Sequence, residues 1–315
     1  MFTNAEGFGK KGVNCVNNVE LFFDTQRRIK TNLLLSHTTK QAIQNTRIYD
    51  EDFQSEKHPH SLLNSISVQE NTTLLAAKRY VPSRKRIAVL NFANPIEPGG
   101  GVMRGASAQE EYLCRASNLY PCLASENAES WYNYHRQQKE QAKDGFFLAS
   151  DKIIYSSDVT VIRQDNNYVP LEIPAFQQKY SRDWYRIDVI TAAAPCFRNT
   201  QQASQYQGLE ELFIRRIENI FETAIEHNVQ ILILGAFGCG AFHNPPVTVA
   251  KAFHHVFSEC RNKRYRYAFE AVCFAIMRNQ VYSNNMEAFQ RYFLSFPEIT
   301  PITPESIRMR DALAE

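Results

Sequence analysis

The sequence predicts an α/β protein, a three-layer α/β/α sandwich around a central sheet with a helical extension at its N-terminal side. Three observations carry this reading. From Arg86 onward, five short apolar runs rich in β-branched residues punctuate the chain. Amphipathic helical patterns separate the later runs. Residues 1–85, by contrast, are polar, rich in Asn, Gln, Lys and Thr, and show no strong strand signal. Strands that alternate with helices are covered on both faces, which is the sandwich arrangement.

Taken in order, "VELFFDTQRRIKTNLLLSHTTKQAIQNTRIY" (19–49) predicts two helices broken near Ser36–Thr38. Residues 1–85 are therefore read as a helical accessory region packed on a main domain of residues 86–315. The predicted strands are "IAVLNFA" (87–93), "IIYSSDVTVI" (153–162), "IDVITAAA" (187–194), "ILILGAF" (231–237) and "AVCFAI" (271–276). Each is a short apolar run of the kind buried on both faces of a sheet. "GLEELFIRRIENIFETAIEHN" places Leu209, Leu212, Phe213, Ile217, Ile220, Phe221 and Ala224 on one helical stripe. "HNPPVTVAKAFHHVFSEC" opens with Asn244 as a cap and prolines at the first helical positions, then buries Ala250, Phe253 and Val256. Residues 164–186, polar and interrupted by two prolines, read as a surface excursion.

Composition bounds the function. A chain of 315 residues can bury a full core. With 44% apolar residues and a net charge of +2, it is an ordinary globular protein with no global pull on DNA or RNA. Direct nucleic-acid binding is not expected, and a site for a polyanion must be local. The seven cysteines are odd in number and contain no CxxC pair, so reduced, mostly buried thiols are expected rather than disulfides or a zinc site. No signal-peptide pattern opens the chain and no run is long enough to span a membrane. A cytoplasmic monomer is the expectation, although export by a non-classical route would leave no mark here.

Two glycine-rich loops each follow a predicted strand: "GGGVMRGASAQEE" (99–111) and "GAFGCGAFHNPP" (235–246). Glycines beyond the carboxyl end of a strand let backbone N–H groups approach an anion, and a following helix adds its positive end. One such loop can serve chain reversal alone; two suit a diphosphate gripped from both sides. Neither is a Walker loop or GxGxxG, which disfavours a dinucleotide cofactor fold. Cys239 sits in a tight turn after a strand, but a nucleophile elbow needs glycines where Phe237 and Ala241 stand. Nothing ties His243, His254 or His255 to it, and a small buried thiol is the plainer reading.

The paired glutamates divide the labour. Ser107 as N-cap would put Glu110 at the third helical position of a capping box, with the helix continuing through Leu113, Ala116 and Tyr120. Glu111 is left unused by the cap, near the glycine loop. A bound diphosphate would oppose the helix end that keeps a carboxylate ionised there, favouring the protonated carboxyl a general acid needs.

"LNFANPIEPGGGVMRGASAQEEYLCRASNLY", "IYSSDVTVIRQD", "DVITAAAPCFRN" and "LGAFGCGAFHNPPVTVAKAF" together resemble the microbial-type poly(ADP-ribose) glycohydrolases, a macrodomain-fold family with a GGG…QEE signature. The resemblance spans roughly residues 86–279. It implies a mixed central sheet and a set of roles. Gly99, Gly100 and Gly101 contact the diphosphate and distal ribose, and Asn94 binds ribose hydroxyls. Gln109 and Glu110 fix the ribose and its leaving oxygen, while Glu111 is the catalytic acid. Gly238, Cys239, Gly240 and Ala241 form the second phosphate loop, and Phe242 packs near the distal ribose. The implied reaction is hydrolysis of the ribose–ribose O-glycosidic bond at the end of an ADP-ribose chain. Its substrate is poly(ADP-ribose) or an ADP-ribosylated protein, its product ADP-ribose, and it uses neither metal nor cofactor. Two alternatives stay open: a hydrolase of single ADP-ribosyl groups, and a non-catalytic ADP-ribose reader. A reader has no use for an acid beside the ribose. In that branch accessory elements close the cleft behind the adenosine, and residues 1–85 are long enough to supply such a wall.

Overall fold

In the computed structural model, seven strands form one sheet: β1 (Arg47–Tyr49), β2 (Ser65–Glu70), β3 (Ile87–Phe92), β4 (Ile153–Val161), β5 (Tyr185–Ala192), β6 (Ile231–Leu234) and β7 (Ala271–Ile276). The structure describes residues 17–58, 65–142, 146–164, 170–171, 184–197, 199–258, 263–266, 268–278 and 284–294. The strand order is β1-β4-β5-β3-β6-β7-β2. The five strands from β5 to β2 run parallel, and β4 lies antiparallel to both β5 and β1. The sheet is therefore mixed, as a macrodomain-like sandwich requires.

The central strands alternate between two cores. Ala88, Leu90, Leu232, Leu234, Val272 and Phe274 face one apolar cluster, and Ile87, Val89, Ile231, Ile233, Ala271 and Cys273 face the other. Period-two alternation with apolar residues on both faces is what a sheet covered by helices on each side demands. Helices α3 (Thr73–Tyr80), α4 (Gln109–Ala116), α5 (Leu119–Leu123) and α6 (Glu126–Gln141) contribute side chains to the second cluster. Helices α7 (Thr200–Gln205), α8 (Leu209–Glu226), α9 (Pro246–Ser258), α10 (Lys263–Arg266) and α11 (Asn284–Phe293) contribute to the first. The stripe expected on residues 208–228 is the buried face of α8: Leu209, Leu212, Phe213, Ile217, Ile220, Phe221 and Ala224.

Ahead of these lie α1 (Asn18–Thr31) and α2 (Leu33–Gln44). They break at Asn32 rather than near Ser36–Thr38. Asn32 adopts an extended conformation and its side chain accepts from the Leu35 N–H at 2.9 Å, capping α2. Thr38 and Thr39 instead return their hydroxyls to the Leu35 carbonyl within an unbroken helix.

A wholly helical reading of residues 1–85 needs correction. Arg47–Tyr49 pairs with β4 and Ser65–Glu70 pairs with β7, so this region supplies both outermost strands of the sheet. A three-residue strand is too short to show periodicity. "SISVQE" buries only Ile66 and Ser67 fully, giving an edge strand with a weak apolar signal. Of the expected excursion over 164–186, residues 165–169 and 172–183 lie outside the described residues, and Tyr185 already belongs to β5. Cys114, Cys122, Cys196, Cys239 and Cys273 are free thiols, whereas Cys15 and Cys260 lie outside the described residues. Among the described residues no helix is long and apolar enough to cross a membrane.

Candidate active site

Strand β3 delivers its chain directly into the first glycine loop. Beyond Phe92 the chain turns at Asn94, whose Oδ1 accepts from the N–H groups of Ile96 (2.8 Å) and Glu97 (3.0 Å). Gly99 and Gly100 take left-handed conformations, with φ of 68° and 56°. Gly100 has no room for a side chain: a Cβ would lie 2.5 Å from Glu111 Oε1 and 3.1 Å from Glu110 Oε2. A short 3-10 turn, Val102–Arg104, then leads through Gly105 to α4.

The start of α4 is locked onto β3. Gln109 Oε1 accepts from the Phe92 N–H at 2.9 Å, and its Nε2 donates to the Leu90 carbonyl (2.7 Å) and Thr73 Oγ1 (3.2 Å). The amide expected to hold ribose is thus spent on joining helix to strand. Asn94 likewise commits its Oδ1 to the loop, although it remains half-buried at the site's edge.

Glu110 is turned inward. Its Oε1 accepts from Asn91 Nδ2 at 3.2 Å and its Oε2 from the Asn94 N–H at 2.8 Å. Burial outweighs these donors and, with the charge of neighbouring Glu111, pushes the Glu110 pKa up to about 8. The expected capping box does not form. Ala108 is the N-cap and makes no side-chain cap bond, while Ser107 is exposed. The side chain of Glu110 finds tertiary donors on β3 and the loop, which outcompete a local reach back to the backbone. The helix also ends at Ala116 instead of running to Tyr120. Ser117 pairs with Val161 and the Asn118 N–H donates to the Thr160 carbonyl, so the edge of β4 captures the chain there.

Glu111 faces the loop. Its Oε1 accepts from the Gly101 N–H at 2.8 Å. Its Oε2 is buried with no hydrogen-bond partner. One oxygen is therefore held in place by the loop and the other is kept unengaged.

The second loop leaves β6, which pairs directly with β3, so the two loops rise from adjacent parallel strands. The rings of Phe92 and Phe237 meet between them, 5.7 Å centroid to centroid. Gly238 adopts φ of 74° with Ala194 and Asn244 closing around it. Asn244 does not cap α9. Its buried Nδ2 donates to the carbonyls of Pro195 (2.7 Å) and Gly238 (2.9 Å), which fixes the loop's shape. The N–H groups of Gly240, Ala241 and Phe242 find no acceptor among the described residues. Ala241 is exposed and Phe242 half-buried, its carbonyl accepting from the Phe197 N–H. Burial pushes the Cys239 thiol well above the ordinary thiol range, and its Sγ lies 3.7 Å from the Phe237 carbonyl. A nucleophilic role is inconsistent with so protonated a sulfur.

Asn91 is the site residue that sequence reasoning missed. A polar side chain inside the otherwise apolar "IAVLNFA" was the available signal. It is fully buried, and its Nδ2 reaches both Glu110 and Thr191 Oγ1 (3.2 Å).

Paired glycine loops at the carboxyl ends of adjacent parallel strands, one closing on a buried acid pair, put this α/β/α sheet in the macrodomain class. Known proteins narrow the class. Residues 15–164 match the family model "Microbial-type PARG, catalytic domain". The poly(ADP-ribose) glycohydrolase of Thermomonospora curvata is similar with a TM-score of 0.71 and 28% identity, over 88% of this chain and 99% of that one. Its complex with the inhibitor ADP-HPD is similar at 0.68. The Deinococcus radiodurans enzyme in complex with ADP-ribose is similar at 0.66 and 30% identity, over 81% of this chain and 96% of that one. No protein of curated function matches the chain by sequence. The chain belongs to the microbial-type poly(ADP-ribose) glycohydrolase family and is a glycosidase-type hydrolase.

Proposed function

We propose that this enzyme hydrolyses the ribose–ribose O-glycosidic bond at the exposed end of poly(ADP-ribose), with Glu111 as general acid and then general base. The observation that carries the reading is the state of the Glu111 carboxyl, one oxygen bound by Gly101 and the other buried and unpartnered. In the reaction, protonated Glu111 gives its proton from Oε2 to the departing ribose oxygen as the C1–O bond breaks. Positive charge develops on the distal ribose, where the nearby diphosphate stabilises it. Water adds to the C1 carbon and passes a proton to the Glu111 carboxylate, restoring the acid and releasing ADP-ribose.

The diphosphate is assigned to the space between the two loops. Backbone from Gly99 to Gly101 borders one side, and the N–H groups of Gly240, Ala241 and Phe242 border the other. Glu110 and Gln109 hold this frame together, and Asn94 lines the ribose. The chemistry lies within residues 86–315, and residues 1–85 serve as its accessory region. Every step uses the chain's own groups, the substrate's diphosphate and water, and the enzyme acts as a cytosolic monomer.

Glu111→Gln should bind ADP-ribose with near-parental affinity but lose turnover by roughly 10²–10⁴, because glutamine keeps the shape without a transferable proton. Calorimetry with ADP-ribose, alongside a rate assay on purified chains, measures both. Turnover at the parental rate would remove Glu111 from the mechanism. Release of ADP-ribose from singly modified protein, with chains untouched, would move the substrate to single ADP-ribosyl groups.

A further inference from the structure

Helix α1 packs against the first glycine loop at Gly105 and against α4 and α5 beside it. Asn18 Nδ2 donates to the Gly105 carbonyl at 3.0 Å. Gly105 is held so close that a Cβ there would meet Val19 Cγ2 at 3.2 Å. Phe22 is buried and packs edge-on against Tyr120, whose ring lies 2.8 Å from where a Cβ on Gly99 would be. Thr25 Oγ1 donates to the Arg115 carbonyl at 2.6 Å, and Arg115 in turn donates to the Ala106 carbonyl at 2.6 Å. Arg163 anchors Thr25 from behind, donating to its Oγ1 at 2.8 Å and pairing with Asp24.

These contacts continue inward. The Arg104 and Ala106 N–H groups donate to the Gly101 carbonyl (2.9 and 3.1 Å), and the Gly101 N–H donates to Glu111 Oε1 (2.8 Å). An unbroken run of hydrogen bonds and chain thus joins Asn18 and Thr25 to the carboxyl. We propose that Asn18 and Thr25 are positioning residues for the reaction, holding the Gly99–Ala106 loop so that Glu111 presents Oε2 to the glycosidic oxygen. Neither touches substrate. The proposal rests on the reading of Glu111 as the acid.

Asn18→Asp separates positioning from folding. Asn18 is the first residue of α1, where a carboxylate favours the helix. The same change removes the donor to Gly105 and sets an acceptor against its carbonyl. The melting temperature should hold or rise, kcat should fall about three- to tenfold, as expected for one lost hydrogen bond, and KM should stay near parental. Thr25→Val should lower kcat by a similar factor, and Thr25→Ser, which keeps the hydroxyl, should restore it. This second pair decides the matter if Asn18→Asp does not fold. Parental kcat in Asn18→Asp, a loss carried wholly by KM, or equal rates in Thr25→Ser and Thr25→Val would each overturn the proposal. Glu111→Gln measured beside them keeps the two readings apart. If it turns over chains normally, the acid assignment fails; if it is inert while Asn18→Asp is parental, only the bracing role fails.

Discussion

Glu110 and Glu111 are chain neighbours with different surroundings, and their hydrogen bonds set what each can do. Glu110 is held by Asn91 and the Asn94 backbone beneath the loop; Glu111 is tied at one oxygen to the loop itself. The elevated pKa of Glu110 has a consequence for stability. An ordinary glutamate titrates near 4.5 and this one near 8 in the folded protein, so the native state holds the proton more tightly than the unfolded chain. Its contribution is fully present below about 4.5 and is lost as pH rises through about 8. Glu110→Gln keeps the neutral shape at every pH. Its melting temperature relative to the parent should therefore climb between about pH 5 and pH 9. A constant difference across that range would show that Glu110 carries no proton in the fold. The adjacency of two carboxylates and the glycines beside them were legible as residues. The direction of each side chain was not, because Asn91 and Asn94 supply donors that a local capping argument does not contain.

At the scale of elements, both loops depend on residues that read locally as caps but act at longer range. Asn244, read from the sequence as a cap, lies two residues before α9, and its amide closes the second loop across to Pro195. Asn244→Ala would leave the buried Pro195 carbonyl without that donor, at a cost of roughly 1–3 kcal/mol in stability. The loop it shapes would loosen, and ADP-ribose affinity measured by calorimetry should fall about tenfold. Unchanged affinity in a folded variant would dissociate the second loop from the diphosphate. The strands that carry the loops were the most readable part of the chain. β3, β6 and β7 are buried residue by residue, apart from half-buried Phe92, so the apolar run is their signature. β1 and β2 form the sheet's margins, where fewer side chains are buried and the pattern fades.

For the whole molecule, substrate entry is set by what surrounds the first glycine loop, beside which α1 packs. Helix α1 lies against Gly105 of the first loop and against α4 and α5 beside it, and the expected mode is entry of a terminal unit between the two loops. Early products from long poly(ADP-ribose) should then be monomeric ADP-ribose, with chains shortening gradually on a sizing gel. Short oligomers at early times would instead mean internal cuts and an open cleft. By itself the sequence determined the sandwich, the two glycine loops and the acid pair. Each of these is written in residues close together in the chain: short apolar runs, glycines after strands, adjacent glutamates. Only the tertiary structure decided the outer strands, the inward turn of Glu110 and the packing of α1 beside the first glycine loop, whereas the break at Asn32 is a local cap. The outer strands and the α1 contacts arise from partners far apart in the chain, 90 residues for Thr25 and Arg115, and a pairing across such a distance leaves no period or local motif to read.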